Sequence, residues 1–236
     1  MTKPLEQLFQ LAHAFSAPLK GKEWREGDAL EEFLACHASG TVLSKLHQSL
    51  QETHPEAGSP YWRVRAWELS WWQPISLAMM CVYHLQMVPD TLTTIRQYQQ
   101  HNYIAGYALK DGTWLTSNRE SRIQSAASQL ATVFDGFLPE HSLEFKGKTR
   151  LYKALLADLV MAYLSTATRS LTRYDVQSIK HDYLLWADSL LLPHDPITKI
   201  EQQGDQLVFI RKTCCLAFRC ANKAFCSNCP KHKKLS

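Results

Sequence analysis

Residues 211–236 hold five of the seven cysteines of this 236-residue chain, Cys214, Cys215, Cys220, Cys226 and Cys229, with seven basic side chains and no acidic one. Four of the five form the pattern C-C-x10-C-x2-C. That spacing brings four soft thiolates onto one or two metal ions once the ten-residue loop folds back. Whatever the rest of the chain does, it must end in a platform on which this loop can close. Adjacent residues of an extended chain point to opposite faces, so Cys214 and Cys215 can serve one site only if the backbone turns sharply there. Zinc sites more often use two separated C-x2-C pairs, so the adjacent pair counts modestly against zinc, whereas a 2Fe-2S rhomb needs two thiolates on each iron.

The composition, 45% apolar and 20% charged, is that of a chain able to bury a substantial core. The net charge of +4 conceals an asymmetry. Arg211, Lys212, Arg219, Lys223, Lys231, Lys233 and Lys234 contribute +7 at the end, so the preceding 210 residues carry about −3. The N-terminal run, with acidic Glu6 and no continuous apolar stretch, does not read as a signal peptide, which makes the cytoplasm the default location. In that reducing setting a tight group of cysteines, in an odd total, points to metal rather than disulfides. Leu69–Pro89 lacks Asp, Glu, Lys and Arg, but Gln73, Pro74, Ser76, His84 and Gln86 make it a buried core helix rather than a transmembrane span. Peripheral association with a membrane is left open.

Helical signals dominate the first two hundred residues. Asp28 and Glu31 resemble a capping box for a helix that includes Leu30, Phe33 and Leu34 and stops at Gly40. Thr41 can cap the next, with Leu43, Leu46 and Leu50 on one face. An aromatic segment, Tyr61 to Val88, contains Trp62, Trp67, Trp71 and Trp72, and Pro74 should end or kink its helix. Further helices are expected at about 119–134, 149–170 and 174–190. Asp111-Gly112 between β-favouring runs predicts one hairpin, and Ile197 to Lys212, turning at Gln203-Gly204-Asp205, a second. The reading is a mainly α fold with a small antiparallel β component, whose C-terminal β-hairpin leads into a cysteine-rich loop. Two units are expected: a helical domain over 1–196 with an internal hairpin, and 197–236 as hairpin plus metal-binding segment.

At this point the residues carry a resemblance. Arg211-Lys-Thr-Cys-Cys-Leu, the ten-residue loop and Cys226-Ser-Asn-Cys229-Pro230 resemble the C-terminal signature of the FhuF-like ferric-siderophore reductase family. The run from Arg65 through Trp67, Trp71, Trp72 and Pro74 to Met80 is similar to that family's middle segment. The resemblance implies that Cys214, Cys215, Cys226 and Cys229 ligate a 2Fe-2S cluster, with Cys220 outside the pattern and unligated. It further implies one-electron reduction of iron-loaded siderophores in the cytoplasm, serving iron acquisition.

The chemistry implied is coherent. Hydroxamate and catecholate oxygens are hard donors matched to Fe(III) and poor ligands for Fe(II), so reduction is release. The basic residues around the cysteines would offset the cluster's negative charge and attract an acidic donor such as a ferredoxin. No G-x-G-x-x-G follows a predicted strand, so electrons must come from an external partner.

Candidate substrate contacts are Arg63, Arg65, Trp71, Trp72, Arg211 and Lys212, although helical spacing makes core packing the first explanation for the tryptophans. The alternative is a zinc-binding interaction or nucleic-acid-binding module using the C-terminal cysteine and basic segment, with His232 beyond Cys229 as a further ligand and Phe218, Phe225, Lys231, Lys233 and Lys234 as a phosphate and stacking surface. The preferred reading includes no nucleic-acid partner. Cys36 and Cys81 read as buried free thiols, His84 as a satisfied core histidine, and Glu31, Glu32 and Asp182 as helix caps and surface charges. No G-x-S-x-G, H-E-x-x-H or P-loop supports hydrolytic chemistry.

Overall fold

In the computed structural model, residues 2–24, 34–36, 40–168, 175–203 and 206–231 are described. The element order is α1 (Pro4–Phe15), β1 (Gly21–Glu23), α2 (Gly40–Thr53), α3 (Gly58–Met79), β2 (Val88–Pro89), β3 (Arg96–Gln100), β4 (Tyr103–Leu109), β5 (Trp114–Leu115), α4 (Arg119–Phe145), α5 (Thr149–Ala167), α6 (Val176–Leu190), β6 (Ile200–Gln203) and β7 (Gln206–Phe209). Short 3-10 turns link several of these, and a π-helical turn over Met80–Leu85 extends α3. The fold is mainly helical with small sheets, as the sequence predicts.

The centre of the molecule is α3, which packs on α2, α4 and α5 and is buried almost all round over its second half. Its aromatic residues make the core. Trp67 stacks on Tyr152 with ring centroids 4.3 Å apart and meets Phe134 and His141 edge-on, while Trp71 meets Phe137 edge-on. His141 is fully enclosed there, its Nε2 2.9 Å from Ser70 Oγ, and burial pushes its pKa down to about 3.

Pro74 does not end α3, which continues through it to Met79. A proline has no N–H for the carbonyl four residues back, here that of Ser70. Gln97 of β3 supplies the missing donor, its Nε2 standing 2.9 Å from Ser70 O. The broken hydrogen bond is thereby replaced by a cross-link between helix and sheet. Likewise α4 runs well past residue 134 and through Pro139 to Phe145. There the carbonyl left without a partner belongs to exposed Asp135, where water can satisfy it.

The sheet corrects the first hairpin. The turn lies at His101-Asn102, between antiparallel β3 and β4, and His101 takes the left-handed conformation with φ 54°. β1 pairs in parallel with the other edge of β4, and β5 pairs with β2 instead of with β4. Asp111 is occupied locally, accepting from Gly112 N–H and Trp114 Nε1, while Asp90 Oδ1 and backbone capture Thr113. Leu34 exchanges both backbone hydrogen bonds with Gln97, so it lies in an extended bridge rather than in the expected helix. Asp28, Leu30, Glu31, Glu32 and Phe33 lie outside the described residues, as does the Gly204-Asp205 turn.

Three side chains stand elsewhere than expected. His84 is exposed, because the π-helical turn rotates it outward. Asp182 is fully buried, accepting from Tyr83 Oη and facing Arg119 Nε at 3.2 Å. Cys36 is only half-buried, with its thiol 3.4 Å from Thr132 O. Cys81 is fully buried, as expected of a structural thiol. Among the described residues no helix is long and apolar enough to cross a membrane.

Candidate metal centre

The platform for the cysteines is the β6–β7 hairpin, whose Ile200 and Phe209 face each other and pack into the main core. From β7 the chain runs directly to Arg211, and three polar anchors then fix its course. The guanidinium of Arg211 donates to Glu68 Oε1 of α3 at 2.6 Å, both side chains being about nine-tenths buried. Arg211 N–H donates to Asn228 O at 3.1 Å, tying the two ends of the cysteine loop together. Asp158, fully buried on α5, accepts Lys212 N–H (3.1 Å), Thr213 N–H (2.6 Å) and Thr213 Oγ1 (2.5 Å). A buried carboxylate holding consecutive N–H groups fixes the backbone immediately before Cys214.

The sharp turn that the adjacent cysteines require follows at Leu216, which adopts the left-handed conformation, φ 59° and ψ 11°. Its N–H points back at Cys214 Sγ, 3.4 Å away. A 3-10 turn over Ala217–Arg219 and a second turn, in which Cys229 N–H donates to Cys226 O at 3.0 Å, complete the loop.

The four sulfurs converge in two pairs. Cys214 Sγ lies 3.9 Å from Cys229 Sγ, and Cys215 Sγ lies 3.8 Å from Cys226 Sγ. These are free thiols, and two thiolates sharing one tetrahedral ion through bonds of about 2.3 Å stand about 3.8 Å apart. The opposite orientation of adjacent side chains is used rather than overcome, since each member of the C-C pair takes a different partner from C-x2-C. Cys229 is buried at 2% exposure, and the other three are half-buried. Burial, then neighbouring Cys215 and Cys229, push the Cys226 thiol up to about 12, and burial also raises Cys214. Loading with metal must therefore displace protons from thiols that hold them firmly.

Beside Cys215 and Cys226 opens a cleft of about 440 Å³. Tyr61, Arg65 and Glu68 of α3 form one wall, Asn102 and Tyr103 of the β3–β4 hairpin another, and Lys223 and Asn228 the loop side. Of the residues singled out in the sequence as substrate contacts, Arg65 and Arg211 line it, Arg65 lying 5.6 Å from the Tyr103 ring centroid and Arg211 tied to Glu68. Trp71 is 0% exposed and cannot meet a bound molecule, because helical spacing turns it into the aromatic core. Trp72 supports the wall from behind, its Nε1 donating to Ile104 O and its ring 5.6 Å from that of Tyr103. Arg63 donates to Phe145 O, and Lys212 pairs with Asp195; neither lines the cleft.

Sequence reasoning missed Tyr61, Glu68, Tyr103, Asp158 and Lys223. Glu68 and Asp158 had a signal: each is a lone carboxylate inside an otherwise apolar helical run, an arrangement that requires a buried partner. Cys220 is turned to Ala57 and Tyr61 in a small separate cluster, 4% exposed. Phe218 and Phe225 pack on each other at 4.8 Å with Lys231 over the Phe218 ring. His232, Lys233 and Lys234 lie outside the described residues. No solved structure matches the chain. Residues 211–231 match the family model of the FhuF 2Fe-2S C-terminal domain, which makes the cysteine loop a FhuF-type segment whose cofactor is a 2Fe-2S cluster.

Proposed function

We propose that the protein is a ferric-siderophore reductase of the cytoplasm, in which Cys214 and Cys229 hold one iron of the cluster and Cys215 and Cys226 the other. The observation that carries this reading is the placement of the second sulfur pair on the wall of an open cleft. When bound, a 2Fe-2S cluster supplies electrons one at a time. Tyr61 and Tyr103 offer apolar faces to the organic arms of a chelate, and Arg65 and Lys223 offer donors to its oxygens. Fe(III) in such a chelate takes one electron and becomes Fe(II), which hard oxygen donors hold poorly. Glu68 keeps Arg211 in place beside Cys215, and Asp158 keeps the backbone bent so that Cys214 and Cys215 face different partners.

Electrons arrive from an external donor. Exposed Arg219 and Lys223 within the cysteine loop, and Lys231 just beyond it, suit an acidic protein such as a ferredoxin. The test is single turnover without oxygen. Chemically reduced protein mixed with a ferric siderophore should recover its oxidised visible absorption while one Fe(II) appears per chain. Cys226→Ser and Cys229→Ser should abolish the absorption, and Cys220→Ser should preserve it. A colourless protein carrying one zinc, or a reduced protein that stays reduced in the presence of every ferric chelate offered, would refute the reading.

A further inference from the structure

Cys220, the cysteine outside the paired sulfurs, is not alone. His54 and Glu56 flank Pro55 at the start of a single 3-10 turn over Pro55–Ala57, which sets His54 Nδ1 3.7 Å from Glu56 Oε1. The cysteine loop is tied to this turn at two points: Ala221 N–H donates to Glu56 Oε1 (2.8 Å), and Arg219 Nη1 donates to Ala57 O (3.3 Å). These ties deliver Cys220 to the same place. A ring nitrogen of His54, a carboxylate oxygen of Glu56 and Cys220 Sγ lie within 4.8 Å of one another.

An imidazole, a carboxylate and a thiol at this separation are the donor set of a borderline divalent first-row ion, with the fourth position free for another ligand. The surroundings are those of a built site. Ala221 N–H orients the carboxylate from outside, as outer partners of metal ligands do, and Tyr61 packs with Cys220 in one small buried cluster. The thiol is buried while His54 and Tyr61 both line the cleft, so the site adjoins it through the His54 side.

We propose that His54, Glu56 and Cys220 form a second metal site, mononuclear and selective for a borderline divalent cation. On binding, the Cys220 thiol gives its proton to solvent and its sulfur bonds to the metal, with no change of oxidation state. Resting on the reductase reading, the natural occupant is the Fe(II) set free in the adjoining cleft. The oxygen donors of the chelate select Fe(III), whereas a nitrogen-sulfur-carboxylate set selects the reduced ion. The two sites would then divide the oxidation states between them and draw the product away from reoxidation.

Co(II) serves as the probe, since it resembles Fe(II) and can be measured separately from the cluster. Cluster-loaded protein dialysed anaerobically against Co(II) should retain one cobalt beyond its two irons, and cobalt-edge X-ray absorption should show a single sulfur neighbour. Cys220→Ser and His54→Ala should each weaken cobalt binding by more than about tenfold, the scale that even outer partners of a metal ligand reach. Both variants should keep their iron and visible spectrum, which establishes that the protein is folded. Failure to retain cobalt, retention undiminished in both variants, or two or more sulfurs per cobalt would overturn the site. A protein that binds cobalt in this way but reduces no ferric chelate would refute the reductase reading and leave the site standing.

Discussion

The aromatic centre around Trp67 and the cysteine loop are both closely held, but by opposite means. Around Trp67 the contacts are apolar and ring against ring, and polar ties are few, that between Ser70 Oγ and His141 Nε2 among them. The cysteine loop makes only small apolar clusters outside the main core and is held to the helical body by directed polar ties: Arg211 to Glu68, Asp158 to the backbone of residues 212 and 213, and Glu56 to Ala221. Burial of large rings is tolerant in direction and strong in sum, whereas hydrogen bonds to charged groups are few and exacting in angle. The helical body therefore supplies stability, and the loop supplies position. Damage to one should register in a different measurement from damage to the other.

The largest effect should come from Trp67→Ala, which empties the aromatic centre and should cost about 3–5 kcal/mol in denaturant unfolding. Iron bound per folded chain should stay unchanged. If iron content falls in step with stability, the two regions are not separable in this way. Asp158→Ala should cost less, about 2–3 kcal/mol, because it strands two backbone N–H groups and a hydroxyl, at least partly out of water's reach. Its main effect should instead be on iron content and cluster lifetime, and an Asp158→Ala protein with full and durable iron would show that the carboxylate does not position the cysteines.

The smallest effect, read over a single pH unit, is on pH dependence. Burial holds the folded-state pKa of His141 near 3, against 6.5 ordinarily, so below pH 6.5 the unfolded chain takes up a proton that the folded one refuses. Stability should be unaffected by this residue above pH 6.5 and should fall by about 1.4 kcal/mol per pH unit as pH drops from there toward 3. His141→Gln should flatten the slope between pH 6 and 5. An unchanged slope would mean that His141 is protonated in the fold.

How legible each region was follows from the same contrast. The helices at 119, 149 and 174 and the final hairpin announced themselves by apolar periodicity, since their stability is apolar. β3 did not: Arg96-Gln-Tyr-Gln-Gln has no β-branched residue and is held as a strand by β4 and by Leu34, through backbone bonds that leave no trace in side-chain pattern. The continuation of α3 through Pro74 was not legible for a related reason, because the donor that replaces the proline's missing N–H is supplied from Gln97, 23 positions away. In the cysteine loop the spacing made the convergence legible. The nested pairing, Asp158 and the cleft were not, since each depends on how distant helices happen to pack.

The two sulfur pairs are nested: Cys214 and Cys229 bracket a span of 15 residues, and Cys215 and Cys226 one of 11 inside it. Closing the outer span already brings the inner ends nearly together, so the second closure adds little further loss of chain freedom. Opening either one frees most of what the other held. Half-assembled forms, with one pair bridged and the other loose, should therefore be scarce, and the segment should acquire or surrender its inorganic core in a single concerted event.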